Sequence, residues 1–431
     1  MKTKEDILEL VEEEEIEFIR LQFTDMFGNL RNVAVTKSQL NRVLDCKYVF
    51  DGSALYGGYK SGEEFYLAPD LDTFVILPWR PQQGKVARFL CDVYNEDGTP
   101  CGLSPRTILK KVLKDAKEKG YTFYIDPECE FFLFHTDENG LPTTITHEQA
   151  GYMEVGPLDL GENARRDIVL TLEEMGFEVE SSHHEKAPAQ HEIDFKESEA
   201  LQIADSIVTF KSAVKSIAKR FGLHATFMPK PKNEVAGSGM HLNISVYKDG
   251  RNIFNSKDKE INEEAKHFIG GVMAHAKGLC AITNPLINSY KRICTGIHAP
   301  KEITWSEKHG NSCVRVRKRL GEDTKIELRF PDSSANPYLA LAVCLAAGME
   351  GMEQGLEAGA PVDGTTKKKE KTKLLPLTLN EAIHYFEKDE MMKKVLGTDF
   401  MEIYENEKIS EWNEYMEQVS NWEIEKYLYR V

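Results

Sequence analysis

Paired cysteines are missing from this chain. Its eight cysteines are scattered at Cys46, Cys91, Cys101, Cys129, Cys280, Cys294, Cys313 and Cys344, with no C-x-x-C spacing in 431 residues. That excludes a compact disulfide scaffold and a zinc ribbon, and it points to reduced thiols in a cytoplasmic protein. Positive charge is also short: 54 Lys and Arg face 70 Asp and Glu, for a formal net charge of -16. Nucleic acid and anionic membrane both call for a basic surface, so neither is an expected partner. A small anionic substrate needs only a local cluster of Arg or Lys. No apolar run approaches the roughly 18 residues of a membrane span. The start, Met1-Lys2-Thr3-Lys4-Glu5-Asp6, leads into an acidic helix and not into an apolar signal core. The Walker phosphate loop and the kinase motif set are absent too, so any ATP is held by other means.

What is present is enough apolar sequence, 41% of the chain, for a sizeable core and two to three domains. Residues 4–15 space Ile7, Leu8, Leu10 and Val11 on one helical face behind Thr3, a cap residue. Short runs follow, at Phe18–Phe23, Phe74–Leu77 and Ala87–Val93, broken by Gly and Pro, and predict strands. Pro105 opens a helix to about Lys119, which puts a boundary near residue 102: an α+β unit over 1–102, then a larger unit over 103–431. Helices are expected at 161–175, 199–221, 260–283 and 335–354, the last behind Asn336-Pro337. The basic run from Lys367 to Lys373 reads as a solvated loop. The last 50 residues read as helical, with Trp412 and Trp422 as packing residues.

Four segments carry chemistry. Side chains two apart on a strand share a face. Glu128 and Glu130 therefore share one in Pro127-Glu-Cys-Glu-Phe-Phe-Leu-Phe134. Glu192 and Asp194 do so opposite Ile193 and Phe195, with Glu185 across a Pro-containing loop. His241, Asn243 and Ser245 follow the turn Gly237-Ser238-Gly239 and oppose Met240, Leu242 and Ile244. Glu327 and Arg329 oppose Ile326, Leu328 and Phe330. An ordinary half-exposed strand gives the same alternation, and His241 alone fits a satisfied core histidine. Together, however, several carboxylates and an imidazole in one interior are costly unless a cation joins them. Oxygen donors without thiolates suit Mg²⁺ or Mn²⁺. Arg292, Arg315 and Arg329 supply the counterpart, since guanidinium grips carboxylate and phosphate in bidentate geometry.

Read in order, Phe50-Asp51-Gly52-Ser53, the 127–134 segment, Ser182-His183-His184-Glu185 through Phe195, Lys230-Pro231, Gly237–His241, Asn288–Arg292, Glu327–Arg329 and Ala335-Asn336-Pro337-Tyr338 resemble type I glutamine synthetase almost from end to end. The resemblance implies an N-terminal β-grasp domain and a catalytic domain whose antiparallel strands form a funnel-shaped active site flanked by helices. It implies a homo-dodecamer with sites between neighbours, Asp51 being supplied by the adjacent copy. By position, Glu130, Glu185 and Glu192 hold one metal, and Glu128, His241 and Glu327 hold a second. Arg292, Arg329 and the Gly237 backbone hold L-glutamate, Arg315 meets the transferring phosphoryl group, and Ser245 and Lys325 meet the nucleotide. Asp51, beside Tyr152 and Glu185, receives the amine. The implied reaction is ATP-dependent: the γ-carboxylate becomes an acyl phosphate, which an amine then attacks.

The amine side departs from the family pattern. The flap, usually Pro-Gly-x-Glu-Ala-Pro, reads Thr295-Gly296-Ile297-His298-Ala299-Pro300, so His298 stands where a carboxylate usually takes a proton. Ala54 replaces a serine, Gly310-Asn311-Ser312 lacks an arginine, and Ala236 replaces an asparagine. Two acceptors follow as expectations: a primary amine, giving a γ-glutamylamide, or ammonia, giving glutamine. A relative used only for binding or regulation is the third, opposed by the full set of six metal ligands.

Overall fold

The computed structural model of the protein describes residues 2–52, 63–80, 83–256, 261–308, 310–318, 323–362 and 372–431. The chain opens with α1 (Lys4–Glu13), where Thr3 and Asp6 cap each other's backbone and Ile7 and Val11 are buried one turn apart. Then come β1 (Ile16–Thr24), β2 (Leu30–Thr36), α2 (Leu40–Leu44), β3 (Tyr48–Asp51), β4 (Glu64–Pro69), β5 (Val75–Ile76) and β6 (Lys85–Asn95). They form a sheet in the order β2-β1-β6-β4-β3, with β5 added to β6; β1 and β6 run parallel and the other pairs antiparallel. The central β6 is buried on both faces along most of its length, so apolar residues occupy both (Val86, Ala87, Phe89, Leu90, Cys91 and Val93), with buried Arg88 among them. The run Phe74–Leu77 yields only the two-residue β5, because Asp70 starts a 3₁₀ turn over Leu71–Thr73 just before it.

The larger part of the chain begins with α3 (Pro105–Glu118) and β7 (Tyr121–His135). It continues through α4 (Glu162–Glu174), β8 (Val179–His184), β9 (Gln190–Phe195), β10 (Ser198–Glu199), α5 (Ala200–Ala218), β11 (Leu223–Thr226), β12 (Met240–Lys248) and β13 (Arg251–Asn252). Next are α6 (Glu263–Thr283), α7 (Ile287–Thr295), β14 (Trp305–Ser306), β15 (Val314–Arg317), β16 (Lys325–Leu328) and α8 (Pro337–Gln354). The helices α9 (Leu379–Glu387), α10 (Glu390–Leu396), α11 (Thr398–Met416) and α12 (Asn421–Tyr427) finish the chain. The second sheet runs β14-β15-β16-β12-β7-β9-β8, with the short β10, β11 and β13 at its margins. One face packs on α3 and α5, which α8 covers in turn, and the other bears the acidic residues.

Helix α8 is apolar almost all round because it is enclosed by other helices. It comes so close to α6 that a Cβ on Gly271 would fall 2.7 Å from the Gly351 Cα, which explains glycine on both helices. Arg106, in the first turn of α3, joins the two parts. It is 4% exposed and contacts Asp70 (2.8 Å) and Asp92 (2.7 Å) of the first sheet region and Asp205 (2.8 Å) of α5. No helix among the described residues is long and apolar enough to cross a membrane. The helices expected at 161–175, 199–221, 260–283 and 335–354 all form, as does a helical C-terminus. Trp412 packs on the core, but Trp422 is 60% exposed, so its reading as a packing residue is corrected. It lies on α12, where none of the helix's residues is buried. Ala54 and residues 367–371 of the basic run lie outside the described residues.

Candidate active site

Strand register assembles the site. In antiparallel ladders, directly opposed residues point to the same face. His241 of β12 lies opposite Glu128 of β7, and Glu128 lies opposite Asp194 of β9. One step along, Glu130 lies opposite Glu192, which in turn faces His183 of β8. On the far side, Glu327 of β16 lies between Asn243 of β12 and Arg315 of β15. Glu128, Glu130, His183, Glu192, Asp194, His241 and Arg315 of these rows line a cavity of about 600 Å³ together with Tyr152, Glu185, Lys186, Gly237, His298, Arg317 and Arg329, while Asn243 and Glu327 are fully buried and off the lining.

Two donor groups stand out. Ligand atoms of Glu128, His241 and Glu327 lie within 4.8 Å of one another, and so do those of His183, Glu185 and Glu192. The first set is the one expected for the second metal. In the second set His183 completes the cluster, while Glu130 is held from behind: its carboxylate accepts from the Gly239 N–H (2.7 Å) and the Gln190 amide (3.0 Å). Acidic residues directly opposed across a ladder repel, by roughly 0.2–1 kcal/mol per pair at exposed positions and more when buried. Two such pairs, Glu128 with Asp194 and Glu130 with Glu192, sit here on a largely buried face. Burial, then Glu130, Asp194, Glu128 and Glu185, push the Glu192 pKa well up. Burial and Glu185 raise Glu130 likewise, and burial and Glu128 raise Asp194 against the hydrogen bond from Ser181. Divalent cations relieve such a cost, and carboxylates with imidazole are the donors they take, so the residues fit the expected metals.

The other set is already balanced by arginine. Glu327, fully buried, pairs with Arg315 Nε and Arg329 Nη1, and Glu128 with Arg317 Nη1. His241 Nδ1 is 2.8 Å from Glu128 and 3.6 Å from Glu327. Burial opposes the Glu128 carboxylate, but His241 and Arg317 outweigh it and hold its pKa below the usual range. Burial and Arg329 lower His241, which keeps a neutral imidazole able to offer a lone pair.

The flap follows α7. Gly296 ends that helix at φ 62°, and His298 also takes a left-handed φ of 55°, uncommon for a side chain with a Cβ. Burial, Lys186 and Arg329 lower the His298 pKa against Glu185, so it is a neutral, exposed ring at the rim. Tyr152 stands opposite, edge-on to His183 at 5.4 Å. Gly237 lines the cavity at the glycine turn. A Cβ there would come within 2.2 Å of the Pro229 carbonyl oxygen, which is why the turn demands glycine.

Other expected residues lie elsewhere. Arg292 is 2% exposed, beneath the glycine turn and off the lining, with its guanidinium donating to the carbonyls of Phe330 (3.0 Å) and Arg329 (3.2 Å). Ser245 is fully buried opposite Tyr124, and Lys325 is taken up by Asp126 (2.9 Å) and Glu197 (3.0 Å); neither lines the cavity. Asp51 ends β3 opposite Glu64, in the first sheet, outside this lining. The reading from sequence gave no role to Arg317, although it alternates with Arg315 on one strand face, nor to Lys186, next to Glu185. It also missed a buried group beneath the site: Glu148 contacts His184 Nε2, and Arg165 joins Asp159 (2.7 Å) to His191 (2.8 Å). Glu148 and Asp159 come from a stretch without strand or helix periodicity, so no local pattern marks them.

The fold and this acidic, arginine-flanked funnel define an ATP-dependent carboxylate–amine ligase. The glutamine synthetase catalytic-domain model matches residues 102–427 and the glutamine synthetase β-grasp model residues 15–96. The chain is 51% identical over 436 residues to the glutamine synthetase of Clostridium saccharobutylicum, covering 99% of this chain and 98% of that one. It is 48% identical to a Staphylococcus aureus glutamine synthetase over the same shares of the two chains. A ligand-free GmaS structure is similar with a TM-score of 0.89 at 31% identity, over 98% of this chain and 99% of that one. A GmaS–ADP complex reaches 0.90 over the same shares, also at 31%. The chain belongs to the glutamine synthetase family, whose members use ATP and divalent metal ions.

Proposed function

We propose that the protein joins a primary amine to the γ-carboxyl group of L-glutamate through γ-glutamyl phosphate, at the expense of ATP. The observation that carries the amine reading is His298 at the flap. It is a neutral ring facing the cavity with Lys186 close by, where an acceptor cation would need a fixed negative charge. The solved relative GmaS is a γ-glutamylmethylamide synthetase.

The geometry supports the following roles. Glu128, His241 and Glu327 would hold one Mg²⁺ or Mn²⁺, and Glu185 and Glu192, with Glu130 or His183, would hold the other. When bound, these ions neutralise the carboxylates and draw charge from the phosphoryl group in flight. Arg315 and Arg317, two residues apart on β15, turn from their carboxylate partners to the phosphate oxygens. Arg329 and the Gly237 backbone hold glutamate, and Arg292 fixes the glycine turn from beneath. Asp51 enters from a neighbouring copy in a dodecameric ring assembly in the cytoplasm, and the β-grasp part ends near residue 102. In the second step the amine nitrogen attacks the acyl carbon. The C–N bond forms, the C–O bond to phosphate breaks with its electron pair leaving on phosphate, and one N–H proton passes to a carboxylate, Asp51 or Glu185.

Ammonia is the second reading, favoured by 51% identity to a protein named glutamine synthetase against 31% to GmaS. Phosphate release from ATP and L-glutamate, measured with ammonium, methylamine, ethanolamine and a diamine, separates the two. Turnover with ammonium alone overturns the first.

A further inference from the structure

We infer that Lys186 selects an acceptor amine whose far end is anionic, of the amino-carboxylate or amino-sulfonate class, over one whose far end is cationic. This rests on the amine-acceptor reading above and names the acceptor's chemistry. Lys186 lies two residues beyond the end of β8, after Glu185, and its own N–H donates to Glu185 Oε2 at 2.8 Å, which fixes the turn that aims its side chain. The ammonium lies 5.3 Å from the centre of the Tyr152 ring and 3.8 Å from Glu185 Oε2. That second distance exceeds the 2.7–3.0 Å of made ion pairs elsewhere in the protein. The side chain is 41% exposed.

Lys186, Tyr152 and His298 thus share the rim of the cavity, above the carboxylate floor. Lys186 is among the groups that hold the His298 ring neutral, so its positive charge reaches across the rim. Glu154, in the turn after Tyr152, is folded back on the Gly151 N–H at 2.5 Å. Glu185, the nearest carboxylate, belongs to the metal cluster with His183 and Glu192. Lys186 is therefore the cationic group an incoming tail meets at the Tyr152 edge of the rim, with the Glu154 and Glu185 carboxylates beside it. A cationic tail is repelled there, an aliphatic tail packs on Tyr152, and an anionic tail gains a charge-assisted bond. An exposed pair of this kind is worth roughly two- to fivefold in affinity.

The test uses three acceptors of one length: β-alanine, propylamine and 1,3-diaminopropane. Phosphate release gives kcat/KM, and mass spectrometry identifies each amide. The parent enzyme is expected to prefer β-alanine over propylamine, and propylamine over the diamine, by roughly two- to fivefold at each step. Lys186→Gln levels the series, and Lys186→Glu reverses it. A parent that uses the diamine as well as β-alanine, or an order unchanged in Lys186→Glu, overturns the inference while leaving amide formation standing. Turnover with ammonium and with none of the three tailed amines overturns the amine-acceptor reading, and this inference with it.

Discussion

Replacing Glu327 by glutamine keeps the side chain's volume and removes its charge. Glu327 is fully buried, it is the partner of both Arg315 and Arg329, and it lies 3.6 Å from His241. The substitution therefore acts in two ways. Arg315 and Arg329 donate to different oxygens of the carboxylate, so glutamine keeps an acceptor for one of them and turns an N–H donor toward the other; one charge-assisted contact, worth roughly 1.5–3 kcal/mol, is lost and the second is weakened. Water offsets part of this, because Arg315 is 29% exposed. The folded state should lose about 1–3 kcal/mol, a fall of a few degrees in Tm. The site also loses one of three donors to a cation, together with the anchor that aligns Arg315. A loss of about 4 kcal/mol of transition-state stabilisation corresponds to ~10³-fold in rate. Phosphate release reads the rate, calorimetric titration with Mn²⁺ reads the site, and circular dichroism reads the fold. Turnover within about tenfold of the parent, with unaltered Mn²⁺ uptake, would refute the assignment.

His298→Glu should raise kcat/KM for ammonium relative to methylamine by about tenfold, since it restores a negative charge at the flap; an unchanged ratio in the phosphate-release assay removes the flap argument. The metal-free protein should lose stability as pH rises from about 5 to about 7, because Glu130, Glu192 and Asp194 have folded-state pKa values raised above those of the unfolded chain. Their contribution is fully present below the unfolded value near 4 and disappears as they ionise. Mg²⁺ should restore more Tm at high pH than at low, and a pH-independent metal effect in thermal melts would count against the paired-carboxylate reading. Arg106→Ala leaves Asp70, Asp92 and Asp205 facing one another and should cost about 3–5 kcal/mol; a Tm within about a degree of the parent contradicts its role as the tie between the two parts.

Local geometry made much of this protein legible in its sequence. A strand repeats every two residues, so Glu128 with Glu130, Glu192 with Asp194 and Glu327 with Arg329 had to share faces wherever the strands went. The same reasoning placed α3 at Pro105 and α8 behind the Asn336 cap, whose side chain accepts from the Tyr338 N–H. Distant elements decided the rest. Only the register of β7 against β9 and β12 puts Glu130 opposite Glu192 and Glu128 opposite His241. Only packing sends Arg292 under the glycine turn, turns Lys325 to Asp126 and brings Glu148 from an irregular loop onto His184. The covalent chain fixes which neighbours share a face. Which faces meet, and which charge answers which, depends on burial and pairing between segments far apart in sequence, and these exist only once the chain has folded.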